Sequence, residues 1–500
     1  MTDIFTFLKR RPRQLPWLIL GKGPTFSHVN EIDLSAYTTV ALNHVIREVK
    51  ADFAHLIDFD VFETCQHDII NNAGYLIMPM YPHFDCAPTK RTLKSLCDDY
   101  PVLKQLDTEG RLLWYNHLRF RCVFRKKVDV LYFSAEAVVS ILAKSGCRHI
   151  YTLGVDGGKN YSVAFDDLKG KTLLANQKPS FDLQFDHIRS IMIRNDIGVE
   201  PLVQDYPIKV YVATQEEQML AVKVLEYSIK KHTDAPVEVY PLHLGGIAYP
   251  EPDDIENRQR TPFSFQRFLI PQLNGYTGKA IYVDSDMQVF TDIKKLWNLP
   301  MGTHDVLTVV PTKAEHRRLQ FSVMLLDCSK LDWKIGDIVE KLNRHELSYS
   351  DLMYEMKIAK NLGVEIPETW NCLEWYKKGE SALVHYTDMN TQPWISTENP
   401  LCNLWVQDLI EAIEKGSITM EYVREHIEKG YIRPSLMYQI EHRHLDSLSL
   451  PAAVKELDAD FIAPYKGVHQ HSGTPYVNTL DYLIGKSKKI VRKLLKTYLP

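Results

Sequence analysis

Two successive α/β halves followed by a helical extension are the architecture predicted for this 500-residue chain. Three observations predict it: short apolar runs that stop at Gly or Asn, segments of helical spacing between them, and a second strand–helix–strand series that starts afresh near Pro207. Strands buried on both faces read as such continuous apolar runs, and intervening helices provide the crossovers that parallel strands need.

In the first half, Trp17-Leu18-Ile19-Leu20 is a buried strand that ends in Gly21-Lys22-Gly23-Pro24. Thr38-Thr39-Val40-Ala41-Leu42 is a second, ending at Asn43, and Leu76-Ile77-Met78-Pro79-Met80 a third. Residues 135–144 have helical spacing, and Ile150-Tyr151-Thr152-Leu153 then runs into Gly154-Val155-Asp156-Gly157-Gly158. In the second half, residues 208–213 form a strand, 216–231 an amphipathic helix, and 237–240 the next strand. After about Leu401 the pattern is helical, with turns at Gly416, Gly430 and Pro434. The expected domains are therefore residues 1–203, 207–400 and 401–500.

Composition narrows the function classes. A net charge of -4, with both signs interspersed, exerts no global pull on nucleic acid, and none is expected as a partner. The eight cysteines form no C-x-x-C pair, which argues against a zinc ribbon or disulfide framework and for a reducing compartment. Residues 1–13 lack the apolar core of a signal peptide, and no run of about 18 apolar residues occurs. The expected location is the cytoplasm or the cytoplasmic face of a membrane. Residues 483–499 carry Lys486, Lys488, Lys489, Arg492, Lys493 and Lys496 without an acid, among apolar residues at near-helical spacing. This tail reads either as a peripheral helix on an anionic bilayer or as a terminal helix docked on the core.

The chemistry concentrates at Ala280-Ile281-Tyr282-Val283, an apolar strand that runs straight into Asp284-Ser285-Asp286. Side chains alternate along a strand, so both carboxylates project to one side and Ser285 to the other. Ligands of open α/β sheets collect outside the carboxyl ends of strands. Two acids there repel unless a cation lies between them, and a hard divalent ion that also grips phosphate oxygens meets that need. Two further D-x-D tripeptides occur. Asp458-Ala459-Asp460 reads as a solvated turn, whereas Asp58-Phe59-Asp60, after Ala54-His55-Leu56-Ile57, stays open as a second candidate. His442, His444, His469 and His471 lack a carboxylate frame and read as surface residues.

Residues 261–271, from Thr261-Pro262-Phe263 to Ile270-Pro271, together with Gly278-Lys279-Ala280-Ile281-Tyr282-Val283-Asp284-Ser285-Asp286-Met287, resemble glycosyltransferase family 8. His385-Tyr386-Thr387-Asp388-Met389-Asn390-Thr391-Gln392-Pro393-Trp394 resembles that family's closing motif, and the likeness spans about residues 208–400. It implies a retaining enzyme with the Rossmann-like GT-A fold, a nucleotide-sugar donor (usually a UDP-sugar) and Mn2+ or Mg2+. Asp284, Asp286 and His385 would hold the metal, with Ala213, Thr214, Arg267, Ser285 and Gln392 around the donor. Arg267 and Asp351, the latter in the acceptor-side segment Tyr349-Ser350-Asp351, would be the catalytic positions. The acceptor would be a surface saccharide or glycolipid. The family's Lys before Pro-Trp is Gln392 here, so a cationic phosphate contact is missing or displaced.

In the first half, Gly21-Lys22-Gly23-Pro24, Asn43, Ser134-Ala135-Glu136-Ala137 and residues 151–156 resemble bacterial sialyltransferase family 42 and the related motility-accessory proteins. The likeness implies a second Rossmann-like nucleotide-sugar domain, with Gly21, Gly23, Pro24, Asn43, Ser134, Gly154 and Asp156 at the nucleotide. Gly157-Gly158 stand where that family places catalytic tyrosines. Three functional readings stay open: one metal-dependent transferase, a bifunctional transferase with an active CMP-sugar-using first half, and a non-catalytic nucleotide-sugar-binding scaffold.

Overall fold

The computed structural model describes residues 1–11, 14–84, 87–117, 126–168, 181–203, 207–311 and 319–464. The basic tail at 483–499, with His469 and His471, lies outside the described residues. The chain forms two compact units: Met1–Asp205 with Asn298–His304, and Tyr206–Trp297 with Asp305–Pro500.

The first unit is built on an eight-stranded sheet. Its strands are β1 (Thr2–Asp3), β2 (Trp17–Leu20), β3 (Thr38–Leu42), β4 (Ala51–His55), β5 (Ala73–Pro79), β6 (Leu112–Tyr115), β7 (His149–Leu153) and β8 (Gly198–Pro201). They lie in the order β1-β6-β5-β4-β3-β2-β7-β8, and every neighbouring pair is parallel. From β2 the chain winds outward through β3, β4, β5 and β6, then returns to the other side of β2 with β7. That reversal places the loops after β2 and β7 together at the carboxyl edge of the sheet. Helix α1 (Phe59–Asn72) buries Phe59, Phe62, Cys65 and Ile69, one stripe at helical spacing. Helix α2 (Ser134–Lys144) is buried through most of its length. Its buried Glu136 accepts backbone N–H bonds from Leu131, Tyr132 and Phe133, so the chain enters the helix with its donors satisfied.

The second unit carries a mixed sheet of β9 (Ile208–Ala213), β10 (Val237–Pro241), β11 (Lys279–Asp284), β13 (Val306–Val309), β14 (Val323–Asp327) and β15 (Leu362–Ile366), in the order β10-β9-β11-β14-β13-β15. The strands β12 (Met287–Val289), β16 (Cys372–Leu373) and β17 (Leu383–His385) form a smaller sheet, β12-β17-β16. The helix read at 216–231 starts as a 3-10 turn, Glu216–Gln218, before α3 (Met219–Lys231). Helices α4 (Cys402–Glu414), α5 (Met420–Glu428) and α6 (Leu436–Glu441) close one apolar cluster in which Trp405, Leu409, Val423 and Ile440 meet Leu220 and Val224 of α3 and Trp394. The helical extension thus shares a core with the α/β sheet it follows. No described helix is long and apolar enough to cross a membrane.

Candidate metal centre

Strand β11 is the spine of the site. Ala280, Ile281 and Tyr282 have no solvent exposure, and the strand is paired on both sides, with Ala213 opposite Asp284 and Val323 opposite Val283. The apolar sequence before Asp284 is what allows a strand to sit in mid-sheet and deliver its last residue to the edge. Ser285 turns inward, where its buried hydroxyl donates to Gln218 Oε1 at 2.9 Å. Asp284 and Asp286 face the opposite way.

His385 arrives through one stretch of sheet. Strand β12, directly after Asp286, pairs antiparallel with β17 so that Met287 stands opposite His385, and Tyr386 N–H donates to the Asp286 carbonyl at 2.8 Å. Asp284, Asp286 and His385 each offer a ligand atom within 4.8 Å of the others, and among the described residues they are the one such group.

Each ligand is held from behind. Asn371 Oδ1 accepts from His385 Nδ1 at 2.9 Å, so that nitrogen carries the hydrogen and Nε2 turns toward the acids. Gln392 is fully buried, and its Nε2 donates both to Asp286 Oδ2 at 2.9 Å and to the Tyr386 carbonyl at 3.0 Å. The Tyr282 hydroxyl donates to Asp284 Oδ1. Arg267 donates Nε to the Ser264 carbonyl and Nη1 to the Phe321 carbonyl, which leaves Nη2 3.7 Å from Asp284 Oδ1. Its guanidinium also lies over the Tyr282 ring.

Asp286 Oδ1 decides what the pocket wants. It is buried and 3.1 Å from His385 Nε2, yet has no aligned hydrogen-bond donor. With Nδ1 protonated against Asn371, a neutral imidazole brings its lone pair toward that oxygen, and only a cation or a proton relieves the contact. Burial pushes the imidazole pKa down, but Asp286 and then Asp284 prevail and raise it above the ordinary 6.5. Two carboxylates and one histidine, oriented by neutral neighbours, are a donor set suited to a manganese- or magnesium-class ion.

The other expected site residues fall into place differently. Thr214 gives both its backbone N–H and its carbonyl to the Gln266 amide, at 3.2 and 3.1 Å. Gln392, expected beside the donor, is engaged with Asp286. Asp351 forms the capping box of the short helix Tyr349–Met353 with Ser348 and pairs with Lys357, so both its oxygens are used locally. Lys357, then Ser348, hold its pKa down at about 2. Trp394 is a core residue against Trp405, with ring centroids 5.5 Å apart. Asp458, read as a solvated turn, instead accepts the Ser435 N–H at 2.8 Å.

In the first unit the expected nucleotide residues pair up among themselves. A Cβ on Gly21 would stand 2.2 Å from the Gly154 carbonyl oxygen, and one on Gly23 2.5 Å from the Asp156 carboxylate. Gly154 has a φ of +73°. The glycines are therefore demanded by two loops lying on each other. Asp156 accepts from Thr25 N–H at 2.7 Å, and Ser134 donates to Asn43 Oδ1 at 3.1 Å.

Sequence reasoning missed the roles of Tyr282, Gln392 and Gln288. Gln288 is a buried amide that accepts from the Tyr386 hydroxyl at 2.7 Å and donates to Asp408 at 2.6 Å, behind the β12–β17 pair. Asn371 stood next to Trp370 as a residue whose purpose spacing does not reveal. A buried amide flanking a motif was the available signal.

The profile of "Glycosyl transferase family 8" matches residues 206–416. "Protein CDI" of Arabidopsis thaliana is 27% identical over 235 residues, which are 41% of this chain and 87% of that protein. Among solved structures, galactosyltransferase LgtC in complex with donor and acceptor sugar analogues is 13% identical, covering 44% of this chain and 100% of that one with a TM-score of 0.33. The apo-form glycosyltransferase GlyE of Streptococcus pneumoniae TIGR4 is 16% identical, covering 42% and 64%, with a TM-score of 0.30. Residues 206–416 are a glycosyl transferase family 8 domain, and the chain is a glycosyltransferase.

Proposed function

We propose that the second unit moves a sugar, with retention, from a UDP-sugar to a surface saccharide or glycolipid, using Mn2+ or Mg2+ held by Asp284, Asp286 and His385. The observation that carries this reading is the buried Asp286 Oδ1, which faces His385 Nε2 at 3.1 Å without a hydrogen-bond donor. When bound, the divalent ion supplies fixed positive charge where the leaving diphosphate becomes more negative. The chain's own residues prepare that place. Asn371 sets the imidazole tautomer, Gln392 and Tyr282 fix one oxygen of each carboxylate, and Arg267 adds the nearby protein cation. Ala213 and Thr214, at the end of the neighbouring strand β9, line the same edge and are proposed to border the nucleotide. Asp351 stays the proposed acceptor-side residue on the family likeness, in addition to its cap.

Donor hydrolysis with Mn2+, with EDTA, and in Asp286→Asn tests the proposal. Turnover lost to EDTA, restored by Mn2+ and lost in the variant is expected; full activity of Asp286→Asn would overturn it, and no turnover in any arm would favour a binding scaffold. For the first unit we propose nucleotide-sugar binding at Gly21, Gly23, Pro24, Asn43, Ser134, Gly154 and Asp156, checked by CMP titration of the full chain. The tail at 483–499 is proposed as a peripheral contact with anionic membrane, which co-sedimentation with anionic vesicles checks against a chain truncated after residue 482.

A further inference from the structure

At the carboxyl edge of the eight-stranded sheet, three residues from different connections meet. Asp58 follows β4, His83 follows β5, and His117 follows β6. Backbone pairing brings the first two side by side: His83 N–H donates to the Ile57 carbonyl at 2.9 Å, and Asp58 and His83 form an isolated parallel bridge. The ring nitrogens His83 Nε2 and His117 Nε2 stand 3.1 Å apart. On the other side of the same ring, His83 Nδ1 is 3.8 Å from Asp58 Oδ1.

Asp58 sits at the N-cap of α1, where an aspartate ordinarily accepts a backbone N–H of the first turn. Here the side chain makes no such bond, and its Oδ1 lies 3.8 Å from the far nitrogen of His83. The carboxylate thus makes no cap bond to the helix and stands within ion-pair distance of an imidazole. Two nitrogens bound to one zinc at ~2.0–2.1 Å in tetrahedral array stand roughly 3.3 Å apart. Metal-bound histidines regularly give their second nitrogen to a carboxylate.

We propose that His83 and His117 form a second metal site, for a zinc-class divalent ion, with Asp58 as the carboxylate behind His83. The side chains of His83 and Asp58 remain 21% and 36% exposed, so solvent or a ligand oxygen has access to the remaining coordination positions. This site uses imidazole nitrogen where the second unit uses mainly carboxylate oxygen, and it therefore selects a softer ion. The inference is independent of the function proposed for the second unit.

The test is Zn2+ binding by the full-length, tag-free chain carrying Asp284→Asn and Asp286→Asn, measured in competition with a chromophoric chelator. One equivalent should remain bound. His83→Gln or His117→Gln added to that background should weaken it at least tenfold, and Asp58→Asn about tenfold. Absence of binding in the Asn background, or binding unchanged by both histidine substitutions, overturns the proposal. Should a histidine variant fail to fold, the intact histidines serve instead: Zn2+ should slow diethylpyrocarbonate modification of His83 and His117 together, and unchanged modification rates overturn it.

Discussion

Replacing Gln392 by Leu removes a single amide while keeping most of its volume, and the site geometry sets the size of the effect. Gln392 is fully buried, and its Nε2 bridges Asp286 Oδ2 at 2.9 Å and the Tyr386 carbonyl at 3.0 Å. A hydrogen bond to an ionised partner contributes about 1.5–3 kcal/mol. Because the amide holds the proposed ligand Asp286, the loss should fall on the ion: at 1.4 kcal/mol per tenfold, Mn2+ affinity should drop roughly 10–100-fold. Titrating Mn2+ by electron paramagnetic resonance gives the affinity directly. Turnover should recover at high Mn2+, since the amide acts on the ligand and not on the sugar. A folded Gln392→Leu protein that binds Mn2+ within twofold of the unsubstituted chain would refute the reasoning.

Other outcomes follow from the same contacts. Asn371→Ala frees the His385 tautomer and should weaken Mn2+ binding about tenfold or more, read by calorimetry. His385 has a raised pKa in the metal-free protein, so its protonated form stabilises the fold fully below the unfolded value, near 6.5, and that increment disappears as pH rises through the folded one. With EDTA present, the Tm advantage over His385→Gln should therefore shrink as pH climbs above 6.5, while Mn2+ affinity grows over the same range because metal needs the neutral ring. Gly154→Ala combines a positive φ with a backbone oxygen 2.2 Å from the new Cβ and should destabilise the first unit by about 2–4 kcal/mol in urea unfolding.

Much of the architecture was legible in order along the chain. Apolar runs such as residues 280–283 and 38–42 can only be strands buried on both faces, and the acids that end the first of these have to emerge at a sheet edge. Among the three D-x-D tripeptides, what precedes each one set Asp458-Ala459-Asp460 aside but left Asp58-Phe59-Asp60 open. Local pattern determines these things because burial and alternation act over neighbouring residues.

Contacts between distant segments decided the rest. Ser348 and Lys357, which occupy the Asp351 carboxylate, are its sequence neighbours, but nothing near Gln392 says that its amide will hold Asp286, 106 positions away. Gly21 and Gly154, expected at a nucleotide, also make room for each other, which only the folded loops reveal. His385 reached the two acids through the β12–β17 register, in which a slip of one residue would turn its ring to the opposite face. By itself the sequence determined which residue types were available and which strand would carry them. Hydrogen-bond partnership, which depends on distance and angle in space, was settled only when the sheets closed.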